Sequence, residues 1–284
     1  MKKYRLFLQI LSLMLVLSPS YAFAAFEAVI AISNQFNQAG ECTCAGKGGK
    51  PCVDFAYGDD YDIYLTGKLN GWGYDRVTRY YRTAVKYNYW ANVADDVAPY
   101  GVDSADVGLL YTHGNAGTDH SLVVMGDASQ TCIMQYGEYG SNDVKWDTDL
   151  NYVIIHSCKS AERGVYTNGS YTLSSMRSPN MGLLLGFHGY GYDSSSDYND
   201  FKGFVDGTRA DGLGDDWVDE MTRTPSGSDN DTCAAAIVWA ADVAQRDNIY
   251  SYAGFMDQKA AGTGVSGYYA VSGCEPAGSP AIPR

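Results

Sequence analysis

Short, wholly apolar runs that stop at a reactive polar residue organise this chain. Val107-Gly108-Leu109-Leu110-Tyr111-Thr112 ends at His113-Gly114, and Tyr152-Val153-Ile154-Ile155 ends at His156-Ser157-Cys158. Runs of this length predict strands buried on both faces, as in a parallel sheet. Phe26 to Ser33 predicts a first strand, Asp103 to Thr112 the strand leading to His113, and Met181 to Phe187 another that ends at His188. Ser121 to Met125 and Thr131 to Tyr136, separated by Gly126-Asp127-Ala128-Ser129-Gln130, predict a small hairpin.

Helical spacing appears elsewhere. Asp75 has the chemistry of an N-cap, and Val77, Tyr80, Tyr81, Ala84 and Val85 follow at helical intervals, which predicts a helix packed on the sheet. Short helices are expected around Tyr198 to Val205 and Asp215 to Met221. Ala234 to Gln245 fits either element: its alanines favour helix, whereas the sheet has use for a further strand. Tyr57 to Tyr64 is an acidic segment following a cysteine-rich loop. The pattern predicts an α/β fold in which a mostly parallel sheet is flanked by helices.

Both ends of the chain stand apart from this domain. Lys2, Lys3 and Arg5, the apolar stretch Leu6 to Leu17 and the small-x-small site Ala22-Phe23-Ala24 make residues 1–24 a signal peptide. Residues 25–274 form one domain, and 275–284, with Pro276, Pro280 and Pro283, a disordered tail. No later apolar run is long enough for a membrane helix, so the expectation is a soluble chain, secreted or periplasmic. Removing Lys2, Lys3 and Arg5 leaves 33 acidic against 17 basic residues. That balance disfavours nucleic acid and anionic membranes as partners. The 24 Tyr and 32 Gly fit half-buried packing and tight turns, with a glycan-binding surface as the alternative.

Seven cysteines in an exported chain leave one unpaired. Cys42, Cys44 and Cys52 look like staples of their Gly/Lys loop, Cys233 and Cys274 flank the last segment, and Cys158 is the odd one out. If the two apolar runs are parallel neighbours, Cys158 and His113 emerge at the same carboxyl edge, where open α/β folds place their ligands. A thiol needs a base to become a nucleophile, and His113 supplies one. Gly114, lacking a Cβ, lets a backbone N–H approach a substrate oxyanion, with the Cys158 N–H as second donor and the small Ser157 leaving room. His156 shares a strand face with Cys158, so it lines the same crevice or packs beneath it. His188-Gly189 repeats the form of His113-Gly114 and lines the pocket or packs, while His120 sits in a Gly/Asp loop facing solvent.

An apolar strand ending in His-Gly, a short hairpin and a second apolar strand ending in small-Cys resemble the caspase-like cysteine peptidases, the clan of caspases, legumain, gingipain and clostripain. The resemblance covers roughly Val107 to Gly189. It implies a caspase-like three-layer sandwich and a peptide or protein substrate. It makes His113 the general acid/base, Cys158 the nucleophile, and the amides of Gly114 and Cys158 the oxyanion hole. Met134 to Leu150 shows little helical pattern where that family has a helix, and Lys159-Ser160-Ala161 follows the cysteine where many members have a glycine. No cofactor is required by this chemistry, although calcium-dependent activation occurs in the clan and the acidic segment Asp193 to Asp216 is compatible with a structural Ca2+. Two rival readings use the same residues. In one, an inactive caspase-like scaffold binds an extracellular partner. In the other, His113, His188 and either His156 or Cys158 hold a hydrolytic metal.

Overall fold

The computed structural model describes residues 26–36, 38–43, 52–91, 101–116, 121–136, 144, 146, 149–162, 182–223, 232–240, 242–251, 268–272 and 274. The segment 1–24, His120 and the tail 275–284 lie outside these residues.

The strands are β1 (Glu27–Ile32), β2 (Arg76–Tyr81), β3 (Val107–Tyr111), β4 (Gly114–Ala116), β5 (Ser121–Val124), β6 (Ile133–Tyr136), β7 (Tyr152–His156), β8 (Leu183–Phe187), β9 (Ala234–Trp239) and β10 (Tyr268–Ser272). Seven of them form one sheet in the order β10-β9-β8-β7-β3-β1-β2, and β4-β5-β6 form a small second sheet. Strands β2, β1, β3, β7 and β8 run parallel, and β9 and then β10 add antiparallel pairings. The helices are α1 (Gly58–Gly71), α2 (Ser195–Gly207), α3 (Leu213–Met221) and α4 (Val243–Tyr250). The molecule is therefore α/β with a mostly parallel sheet.

Every residue of β3, β7 and β8 is buried, as the unbroken apolar runs predict. Alternation divides each strand between two cores. Ile30, Leu109, Ile154 and Leu185 face Tyr61 and Leu65 of α1, Phe201 and Phe204 of α2, Trp217 of α3 and Ile249 of α4. On the other face Val29, Leu110, Ile155 and Leu184 pack with Val123, Met134 and Tyr136 of the small sheet and with Trp90 and Trp146. Among the described residues all four helices thus cover one face, and the small sheet does on the other what helices were expected to do.

The helix expected from Asp75 is instead strand β2, paired in parallel with β1. Val77 and Tyr81 turn to the helical side and Tyr80 to the other, which is the two-residue period of a strand. Asp75 caps no helix, because its carboxylate accepts the Phe26 N–H at 3.0 Å at the start of β1. Helix α1, by contrast, lies in the acidic segment that carried no helical signal. Only Tyr61, Leu65 and Leu69, four residues apart, make its buried apolar stripe. Ala234 to Gln245 holds both candidate elements. Strand β9 ends at Trp239, and Asp242 caps α4 by accepting the Gln245 N–H at 2.8 Å.

Cys42 does not staple its own loop but reaches Cys132, across a sequence separation of 90, at the start of β6. Cys233 is bridged to Cys274, Cys52 is also a half-cystine, and Cys158 is a free thiol. Disulfides of this kind fit an oxidising compartment. No helix among the described residues is long and apolar enough to cross a membrane.

Candidate functional site

The sheet order reverses at β1. The chain crosses from β1 through α1 to β2 on one side and then continues through β3, β7 and β8 on the other. The crevice at the carboxyl ends of β1 and β3 is therefore the topological switch point, the usual ligand position in such sheets. In the β3–β7 register Tyr111 lies opposite His156, so His113 and Cys158 each follow two residues past paired positions. The Thr112 N–H still donates to the His156 carbonyl at 3.2 Å, which keeps the two exits side by side.

Gly114 makes the closest approach. A Cβ there would lie 2.3 Å from Ser157 Oγ and 2.6 Å from the Cys158 carbonyl oxygen. Only glycine fits without displacing backbone, so close packing alone demands this residue. Val124 donates to the His113 carbonyl at 2.9 Å. By the alternation of an antiparallel ladder, the Gly114 N–H then points away from β5.

His113 is wedged between Phe36 and Phe55, with ring centroids 4.7 and 4.1 Å away. Its Nε2–H donates to the Val53 carbonyl at 2.7 Å, which leaves Nδ1 with the lone pair of the neutral ring. Burial lowers its pKa, against smaller raising effects from the Val53 carbonyl and from Asp193 and Asp54. Cys158 occupies the turn after β7, where its Sγ–H donates to the Gly191 carbonyl at 3.4 Å. Burial raises the thiol pKa, opposed by hydrogen bonds to the backbone and by the charge of Lys159. The two shifts favour a neutral imidazole at His113 and a protonated thiol at Cys158.

Neighbouring elements hold the cysteine turn on several sides. Lys159 donates its N–H to Gly189 O at 2.7 Å, Ala161 to Phe187 O at 2.9 Å, and the Ser121 and Tyr136 hydroxyls donate to the carbonyls of Lys159 and Ser160. The Ser160 hydroxyl reaches the carbonyls of Ile155 and Ser157 and accepts the Phe187 N–H at 3.0 Å. Lys159, directly after the cysteine, takes a left-handed backbone, φ 55°.

The remaining sequence candidates are internal. His156 packs under the crevice, stacked on Tyr111 and edge-on to Phe187, with its Nε2 3.4 Å from the Tyr61 hydroxyl. His188 and Ser157 are buried as well, and Ser157 Oγ finds no hydrogen-bond partner among the described residues. The rival reading needs His113, His188 and either His156 or Cys158 to converge on a metal. Among the described residues no group of three or more His, Cys, Asp or Glu side chains is arranged to hold a metal ion.

Asp193 was not singled out from the sequence, where it was one of a run of acids. Its carboxylate accepts the N–H groups of Ala56 and Tyr57 and the Tyr111 hydroxyl. No known protein family, curated protein or solved structure matches the chain.

Proposed function

We infer that this chain is a secreted, caspase-like cysteine peptidase in which Cys158 and His113 hydrolyse peptide bonds. The observation that carries the reading is the approach of Gly114 to Ser157 and Cys158 at the carboxyl ends of adjacent parallel strands. It agrees with the order and spacing on which the resemblance rests. The sulfur loses its proton to His113 Nδ1 and attacks the scissile carbonyl carbon. The resulting oxyanion accepts the N–H groups of Gly114 and Cys158. The C–N bond then breaks as the protonated His113 delivers its proton to the leaving amine. Water, deprotonated by the same imidazole, hydrolyses the thioester and restores the thiol.

Burial favours the neutral pair at rest, so proton transfer in this reading accompanies substrate binding rather than preceding it. Cys158→Ala is expected to keep the wild-type melting temperature within about 2 °C and to abolish turnover of a peptide library. Residual hydrolysis by that variant sinks the assignment. The raised thiol pKa also favours a second reading, a non-catalytic scaffold that binds an extracellular partner. In that case Cys158 stays unreactive toward iodoacetamide in mildly acidic buffer, whereas the peptidase reading requires alkylation there that a substrate peptide slows by occupying the cleft.

A further inference from the structure

Three segments of the chain meet at one carboxylate. Asp193 Oδ1 accepts the Tyr57 N–H at 2.9 Å and the Tyr111 hydroxyl at 2.7 Å, and Oδ2 accepts the Ala56 N–H. Ala56 and Tyr57 lie just beyond Val53, whose carbonyl fixes the His113 ring. Tyr111 ends the strand that delivers His113, and Gly191, which holds the Cys158 thiol, lies two residues before Asp193 itself. The two carbonyls that orient imidazole and sulfur therefore belong to segments joined through Asp193. The 53–57 segment is also anchored to the segment after β1, where the Phe55 N–H donates to the Asn34 carbonyl and the Asp54 carboxylate accepts the Phe36 N–H, each at 2.9 Å; Asp193 adds the tie to the 191–193 segment.

We propose that Asp193 is a positioning residue: its carboxylate clamps the 53–57 segment to β3 and to the 191–193 segment, and thereby holds His113 and Cys158 in one frame. This rests on the peptidase reading for its catalytic consequence, but not for the clamp. A carboxylate is needed because all three partners are donors. An asparagine in its place presents an NH2 group to at least one of them and leaves it without an acceptor.

The charges facing His113 are Asp193 and Asp54, both of which raise its pKa against the effect of burial. Removing the first shifts the imidazole further down, a change that loss of folding or of mere bulk does not produce. The experiment compares wild type with Asp193→Asn and Asp193→Ala in the full chain, using NMR titration of His113 and steady-state hydrolysis of a peptide library. The expected result for Asp193→Asn is a lowered His113 pKa and a kcat lower by on the order of 100-fold with KM nearly unchanged, the effect of misplaced catalytic groups. Asp193→Ala is expected to do at least as much. If it fails to fold, the isosteric asparagine variant decides. Wild-type titration and wild-type kcat in Asp193→Asn overturn the proposal. A wild-type chain that hydrolyses nothing overturns the peptidase reading, and the clamp is then decided by hydrogen exchange of the Ala56 and Tyr57 amides: acceleration in Asp193→Asn supports it, and wild-type protection overturns it.

Discussion

Burial among Tyr61, Tyr111, Phe187 and Trp217 strips water from His156 and lowers its pKa to about 3 from 6.5. Between those values the unfolded chain binds a proton that the folded one excludes. The stabilisation is complete above about pH 6.5 and is lost as the pH falls toward 3, at up to about 1.4 kcal/mol per pH unit. Thermal melts from pH 7 to pH 4 should show a steep acid limb for the wild type and a shallower one for His156→Phe. The identity of this histidine was plain in the sequence, but its two possible environments were not separable there. Alternation puts it on one face of β7 and cannot say that the face is sealed by aromatic rings from two helices and two neighbouring strands.

Helices α2 and α3 pack so closely that a Cβ on Gly207 would lie 2.7 Å from Asp216 Oδ1. Asp216 is 7% exposed, and its Oδ2 has no hydrogen-bond partner among the described residues. Burial, then the charges of Asp211, Glu220, Asp215 and Asp219, raise its pKa from 3.8 to about 6. The folded chain holds this proton more tightly than the unfolded one. The contribution is therefore complete below about pH 3.8 and lost as the pH rises through 6. Asp216→Asn mimics the neutral form and should raise the melting temperature at pH 7 by about 2–8 °C, with the gain vanishing near pH 4. At this scale the sequence is legible wherever burial is two-sided. Strands β3, β7 and β8, the hairpin β5–β6 and helices α2 and α3 all follow from it, because short apolar runs and apolar residues at helical spacing admit one reading. Strand β2 reads as helix because an edge strand covered unevenly on both faces scatters its apolar residues. Helix α1 escapes notice because three buried residues suffice to dock it. Asp193 is invisible for a different reason: its partners lie 136, 137 and 82 residues away in sequence.

Across the whole molecule, the bridge between Cys42 and Cys132 closes the longest covalent loop among the described pairs. A loop of that size restrains the unfolded chain by about 4–5 kcal/mol. The double variant Cys42→Ala/Cys132→Ala should melt about 10 °C or more below the wild type, and an unchanged melting curve would remove the bridge from the account of stability. The same bridge ties the small sheet to the segment leaving β1, so it fastens the cover over one face of the large sheet. An odd number of sulfurs also sets the maturing chain a matching problem in which one member must stay single. Cys158 lies in the turn after β7, the strand between β3 and β8, so the thiol is sheltered where that central trio ends. Burial that keeps the thiol protonated then withholds the thiolate that disulfide exchange needs, and Cys158 is left without a mate.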